Sequence, residues 1–205
     1  MIGPAEIFMI FFVMLGPLKV LGPFVERTRG LDEGTARQVA WWTFVIACVA
    51  IVIGGLLGRT MLTNWRVSVP ALRLTGGIVF FLVALRQLLE QYQPATTAAQ
   101  EPLPASPFAA ASRLVFPMVL TPYGVAAVIA LLAASPDTTR TATVLGLVLL
   151  VMLLDLAAMW VARRLLVGFA IVVLQILGAV LAVLQVALSV QIIVDALRAL
   201  GVVAS

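Results

Sequence analysis

Long apolar runs follow one another along the chain, with charges collected at their ends. Uncharged stretches cover residues 38–58 between Arg37 and Arg59, 114–136 between Arg113 and Asp137, and 165–194 between Arg164 and Asp195. About 20 residues carry a helix across the hydrocarbon core, so each stretch predicts a transmembrane helix. Three further spans hold a few charges: residues 5–24 with Glu6 at the start and Lys19, 69–89 with Arg73 and Arg86, and 141–162 with Asp155. Six helices then account for nearly the whole chain. The first run has no Lys or Arg before it and no small-residue cleavage pattern after it, so it is expected to stay as a helix and not to leave as a signal peptide.

Two of the runs are interrupted by prolines in corresponding places. The first break lies in Gly16-Pro17-Leu18-Lys19-Val20-Leu21-Gly22-Pro23 and the second in Phe116-Pro117-Met118-Val119-Leu120-Thr121-Pro122-Tyr123-Gly124. Each proline removes a backbone N–H and clashes with the preceding turn, leaving carbonyls that lipid cannot satisfy. Such backbone has to be buried in protein or line a cavity. Broken helices recurring in both halves of a polytopic protein point to a midplane site between repeats.

Composition agrees with the membrane setting. With 63% hydrophobic residues, 11% charge and a mean hydropathy of +1.16, the chain lacks the polar residues to coat a soluble globule of its size. The net charge of +4 comes from scattered arginines and one lysine, without the basic run or interleaved aromatics of a nucleic-acid binder. Cys48 is the sole cysteine and histidine is absent, which removes disulfide frameworks, thiolate and His–metal sites, and imidazole chemistry. Ser112, Ser189 or Cys48 would need a base to act as nucleophiles, so an enzyme is not expected, nor a cofactor or metal.

Between the third and fourth spans, residues 91–107 are polar and proline-rich and read as a linker or a merely variable loop. The chain divides into a first three-helix repeat at 1–90 and a second at 108–205. An offset of 105 residues places Pro17 on Pro122. Three helices per half force the repeats into opposite orientations, so the predicted fold is an all-α membrane protein of six helices in a 3+3 inverted repeat, with the first and fourth helices broken. Arginines favour both termini outside: Arg27, Arg29, Arg37, Arg86, Arg113, Arg163 and Arg164 fall on one side, against Arg59, Arg66, Arg73, Arg140 and Arg198. Gly54 and Gly58, and Gly76-Gly77, are expected at close helix contacts.

Several segments carry a family resemblance. The first-helix break followed by Phe24-Val25-Glu26-Arg27-Thr28, residues 67–78 from Val67 to Ile78, residues 116–129, and Gln191-Ile192-Ile193-Val194-Asp195-Ala196-Leu197 resemble the MarC family of bacterial and archaeal inner-membrane proteins, within the lysine-exporter-like superfamily. The resemblance implies a six-helix inverted-repeat protein, of a family often labelled as neutral amino acid transporters or antibiotic-resistance proteins. The chain departs from the family at the breaks. Where the first motif resembles Asp-Pro-x-Gly-x-x-Pro, Gly16 stands for the Asp, Lys19 for the Gly, and the second proline is displaced to Pro23. Where the fourth-helix motif resembles Gly-Pro-Gly, this chain has Thr121-Pro122-Tyr123. The fold carries over; the substrate does not.

Lys19 admits three roles: snorkelling to the interface, an ammonium binding an anion beside the break, or a structural ion pair. The N-terminal half-helix after Pro122 would offer free N–H groups to the same anion. Asp155, the carboxylate deepest in any span, is either a proton-coupling group or a fixed partner of Arg73 or Lys19. The candidate substrate-binding set is Gly16, Pro17, Lys19, Gly22, Pro23, Arg73, Thr75, Pro117, Thr121, Pro122, Tyr123, Gly124, Asp155 and Gln175. The two breaks, with Arg73, Thr75 and Gln175, are expected to surround the most polar part of the interior. Gln185 and Gln191 are expected only to bond between helices.

The pattern points to an inner-membrane secondary transporter of small solutes, amino-acid-like or otherwise small and anionic or zwitterionic. The alternative is a non-transporting accessory or scaffold subunit of a larger membrane complex. Expected partners are the lipid bilayer, a small-molecule substrate, and further copies of the chain or membrane-complex subunits, not nucleic acid.

Overall fold

The computed structural model describes residues 3–90, 103–104, 106–135, 137–165 and 169–203. Among these there are helices and no strands. They are α1 (Pro4–Leu15), α2 (Pro17–Arg27), α3 (Glu33–Asn64), α4 (Val69–Glu90), α5 (Pro107–Leu114) continued by a π-helical segment Val115–Val119, α6 (Pro122–Ala133), α7 (Thr138–Leu165) and α8 (Phe169–Ala199). Five spans are long and apolar enough to cross a membrane, counting α1 and α2 as one; α5, the π segment and α6 make a sixth if the bent pair is one span. Most of the linker expected at 91–107 lies outside the described residues, and its last residue, Pro107, already opens α5.

The two breaks differ in form. In the first, only Gly16 leaves the helix (φ −74°, ψ 175°); Pro17 takes the first position of α2 and Pro23 lies inside it. The break expected across Gly16 to Pro23, as a kink or an unwound turn, is therefore confined to Gly16. A proline at a helix start has no N–H to forfeit there, and a proline in the interior removes one bond without ending so short a helix. The second break is a sharp bend of 71° between Pro107–Val119 and Pro122–Ala133. Phe116 is extended (φ −124°, ψ 129°), as the residue before a proline is pushed to be, and Leu120 and Thr121 are extended before Pro122.

Neighbouring helices are held at their ends by specific bonds. Asp32 caps α3 by accepting the Thr35 N–H at 2.9 Å, and its bonds from Thr35 hold its carboxyl below the usual carboxylate range. Arg59, near the other end of α3, donates to the Thr141 hydroxyl at 3.1 Å and the Ser135 carbonyl at 3.4 Å, tying α3 to the turn between α6 and α7. The close contact of α3 with α6 runs through Gly55 and Gly58, against Val128, Ile129 and Leu132; Gly54, expected to share it with Gly58, meets open space.

The chain path fixes which residues share an end. The start of α1, the end of α3, the start of α4, the end of α6 and the end of α8 lie at one end of the bundle, here the α1 end. The end of α2, the start of α3 and the start of α5 lie at the other, the α2 end. The Arg59 bonds set the end of α6 and the start of α7 beside the end of α3, and a bond from Thr121 to the Met14 carbonyl brings the two breaks together.

Candidate functional site

A helix broken at Gly16 leaves carbonyls without their N–H partners, and those carbonyls organise the site. Pro17 cannot bond to Val13, four residues back, and the turn at Gly16 removes the helical partner of Met14. Both oxygens recover donors from side chains. Gln185 of α8 donates its amide to the Val13 carbonyl at 3.3 Å. The Met14 carbonyl takes two donors: the Lys19 ammonium at 3.1 Å and the Thr121 hydroxyl at 3.2 Å. The Thr121 bond joins the two breaks directly across 107 residues of sequence.

Thr121 has a second task. Its hydroxyl oxygen accepts the Gly124 N–H at 3.3 Å, capping α6. Gly124 sits so close to Leu15 of α1 that a Cβ would overlap the leucine side chain, so the half-helices can meet only through a glycine here. Tyr123 is buried, stacked on Phe80 of α4 with centroids 4.4 Å apart, and carries the Lys19 ammonium 4.4 Å from its ring centroid. Lys19 thus folds inward onto the α1 C-terminus and an aromatic face, where a cation complements the helix dipole, and does not snorkel. The charge of Asp155, on α7, reaches it through space.

This layer of Met14, Lys19, Thr121 and Tyr123 separates two cavities. A cleft of about 400 Å³ is lined by Lys19, Pro23, Arg27, Arg113, Pro117 and Thr121, and belongs to the α2 end. A cavity of about 250 Å³ lies on the other side, walled by Met14, Tyr123, Gly76, Gly77 and alanines of α6, with Arg73 and Asp195 among its lining. The cleft is cationic; the cavity is apolar with both charges near its α1-end mouth.

The expected site residues distribute unevenly over this arrangement. Gly16, Pro17, Lys19, Thr121, Tyr123 and Gly124 come together at the septum, and Pro23 and Pro117 line the cleft. Arg73 lines the cavity but is exposed, and Asp195, which shares the mouth, accepts from Gln191 at 2.9 Å. Thr75 does not join the polar interior. It is on the exposed side of α4 and returns its hydroxyl to the Ala71 carbonyl at 3.0 Å, because a register of one turn decides which face of a helix is inward. Gly22 and Pro122 line neither space. Asp155 is buried in the core, and the Gln175 side chain lies outside the described residues.

Gln185, Phe80, Arg27 and Arg113 were not expected at the site. Gln185 had a legible signal: Pro17 orphans the Val13 carbonyl by the rule of four, and a buried amide is a suitable donor. Gln185→Ala should leave that oxygen bare at a cost of about 1–3 kcal/mol. A melting temperature in detergent lowered by several degrees is expected, and an unchanged melt would show that the bond carries no weight.

The chain from Pro4 to the end of α8 matches one family. The family model described as MarC family integral membrane protein covers residues 4–200. The chain belongs to the MarC family. No curated protein and no solved structure matches it. As a MarC family member it is a multi-pass membrane protein.

Proposed function

We propose that this MarC family protein is a secondary transporter of small solutes that carry an anionic group, amino-acid-like molecules included, passing between the basic cleft and the apolar cavity. The observation that carries the proposal is the thin septum: one carbonyl, Met14, bonded from both broken helices, with a space on each side of it belonging to opposite ends of the bundle. Volumes of about 250 and 400 Å³ are small for ligand pockets and favour small solutes over lipids or large drugs. Lys19, with Arg27 and Arg113 further out, favours an anionic group on entry, and Arg73 offers a second cation near the far mouth.

We infer two inverted halves from the way the elements pair, and this favours the same reading. Corresponding elements share partners: α4 packs on α8, α3 on α7, the α5–α6 unit on α3 and the α1–α2 unit on α7. Rocking of one such half against the other would open the cleft and the cavity in turn. The arginine distribution, seven against five, favours a cleft facing the cytoplasm of a bacterial inner membrane with both termini periplasmic.

The test is uptake by purified protein in liposomes of a panel of radiolabelled amino acids and small carboxylates, paired with single-cysteine labelling in a Cys48→Ala background. Arg113→Cys should react with an impermeant maleimide from one face and Ala130→Cys from the other. Labelling of both from the same face, or no uptake across the panel, would favour a scaffold subunit instead.

A further inference from the structure

Asp155 is not used by any contact described so far. Its side chain is 1% exposed, and neither carboxylate oxygen has a hydrogen bond; the Tyr123 hydroxyl is also buried without a partner. A charged, unbonded carboxylate is not stable in such a place. It is neutralised by a proton, by a metal cation, or by an ammonium drawn onto it.

The surroundings decide among these. The elements packed on α7 present Lys19 from α2 and the Cys48 thiol from α3; the only titratable group of α1 is Glu6, at its outer end and bonded to the Gly3 N–H. A metal cation needs several converging oxygen ligands, and among the described residues no group of acidic, cysteine or histidine side chains could hold one. An ammonium within reach would also repel it. Lys19 itself is engaged with the Met14 carbonyl and the Tyr123 ring, which leaves the carboxyl group to a proton.

We propose that Asp155 is a proton-binding site, and that loss of its proton draws the Lys19 ammonium off the Met14 carbonyl and onto the carboxylate. In the arrangement seen, Asp155 holds the proton, Lys19 bonds to Met14 and the septum is closed. When the proton leaves toward the basic cleft, the ammonium exchanges a carbonyl for a carboxylate, and Met14 keeps only Thr121. That this movement couples protons to solute rests on the transport reading; the proton site itself can be detected with no solute present.

The chain contains a single lysine, so lysine labelled with ¹⁵N at Nζ gives one side-chain resonance. In full-length protein in nanodiscs, the infrared band of a carboxyl group without hydrogen bonds should disappear as pH rises, and the Lys19 resonance should move through the same transition. Asp155→Asn should lose both the band and the Lys19 transition. In Lys19→Gln, where no ammonium can follow the carboxylate, the band should persist at pH values where the native protein has lost it. The site is overturned if the native protein shows no titrating band of this kind, if Lys19 moves identically in Asp155→Asn, or if sodium or potassium at fixed pH removes the band. Should Asp155→Asn not fold, the native and Lys19→Gln titrations decide alone. Failed uptake would sink the transport reading and leave these spectra unaffected.

Discussion

Gly16→Ala is expected to lower stability by about 3 kcal/mol, the upper part of the range for forced overpacking. The added methyl would overlap the carbonyl oxygen of Phe12, which is backbone and cannot swing aside as a side chain could. Relief requires reopening the turn that ends α1, and with it the alignment of the Val13 and Met14 carbonyls to Gln185, Lys19 and Thr121. A melting temperature reduced by about 6–12 °C corresponds to that loss for a chain of this length. Gly22→Ala is the matched control. Nothing lies within 4 Å of its position and it is inside α2, so alanine should be neutral or stabilise by up to about 1 kcal/mol through helix propensity. Equal melts for the two variants would mean that the Gly16 turn is not a fixed feature of the fold.

Lys19→Met should leave the protein folded and remove its activity. The Met14 carbonyl keeps the Thr121 hydroxyl, so the structural loss is a single hydrogen bond, worth about 1 kcal/mol. The loss to solute binding is larger, because a partly buried ammonium facing an anionic group contributes about 2–5 kcal/mol, or about thirtyfold to a few thousandfold in affinity. Lys19→Arg should recover only part of the uptake, since a planar guanidinium does not replace a compact point charge in a tight turn. Undiminished uptake in a Lys19→Met protein of normal melting behaviour would remove Lys19 from the solute path. It would leave the ammonium as a cap for α1 and nothing more.

Much of this was legible from residue order. Span positions follow from the apolar runs, and the location of both breaks from proline, because the chemistry of a missing N–H acts within four residues of its own position. Lys19, Thr121 and Tyr123 were placed correctly beside the breaks for the same reason. What residue order did not reveal was register between helices far apart in the chain. Thr75 and Gln185 illustrate that difficulty: a polar residue next to Arg73 faces outward and bonds to its own helix, while a glutamine expected to bond between helices does so, but to a carbonyl that only the Pro17 break singles out. The severity of a break was hidden too. Pro23 is absorbed within a helix, whereas the Pro117–Pro122 region bends by 71°, because the outcome depends on what neighbouring elements supply to the freed backbone.

The doubly bonded Met14 carbonyl has a consequence for leakage. A carbonyl oxygen carries two lone pairs, and here one is claimed by a donor on the first broken helix and the other by a donor on the second. A conformation open at both ends would have to strip both donors at once and leave two bonds for water to replace. A conformation open at one end needs to surrender only one, which a passing solute or a displaced water can replace in kind. On the transport proposal, lone pairs counted on a single atom favour a turnstile over a pore, because parting both broken helices costs two bonds where moving one costs one.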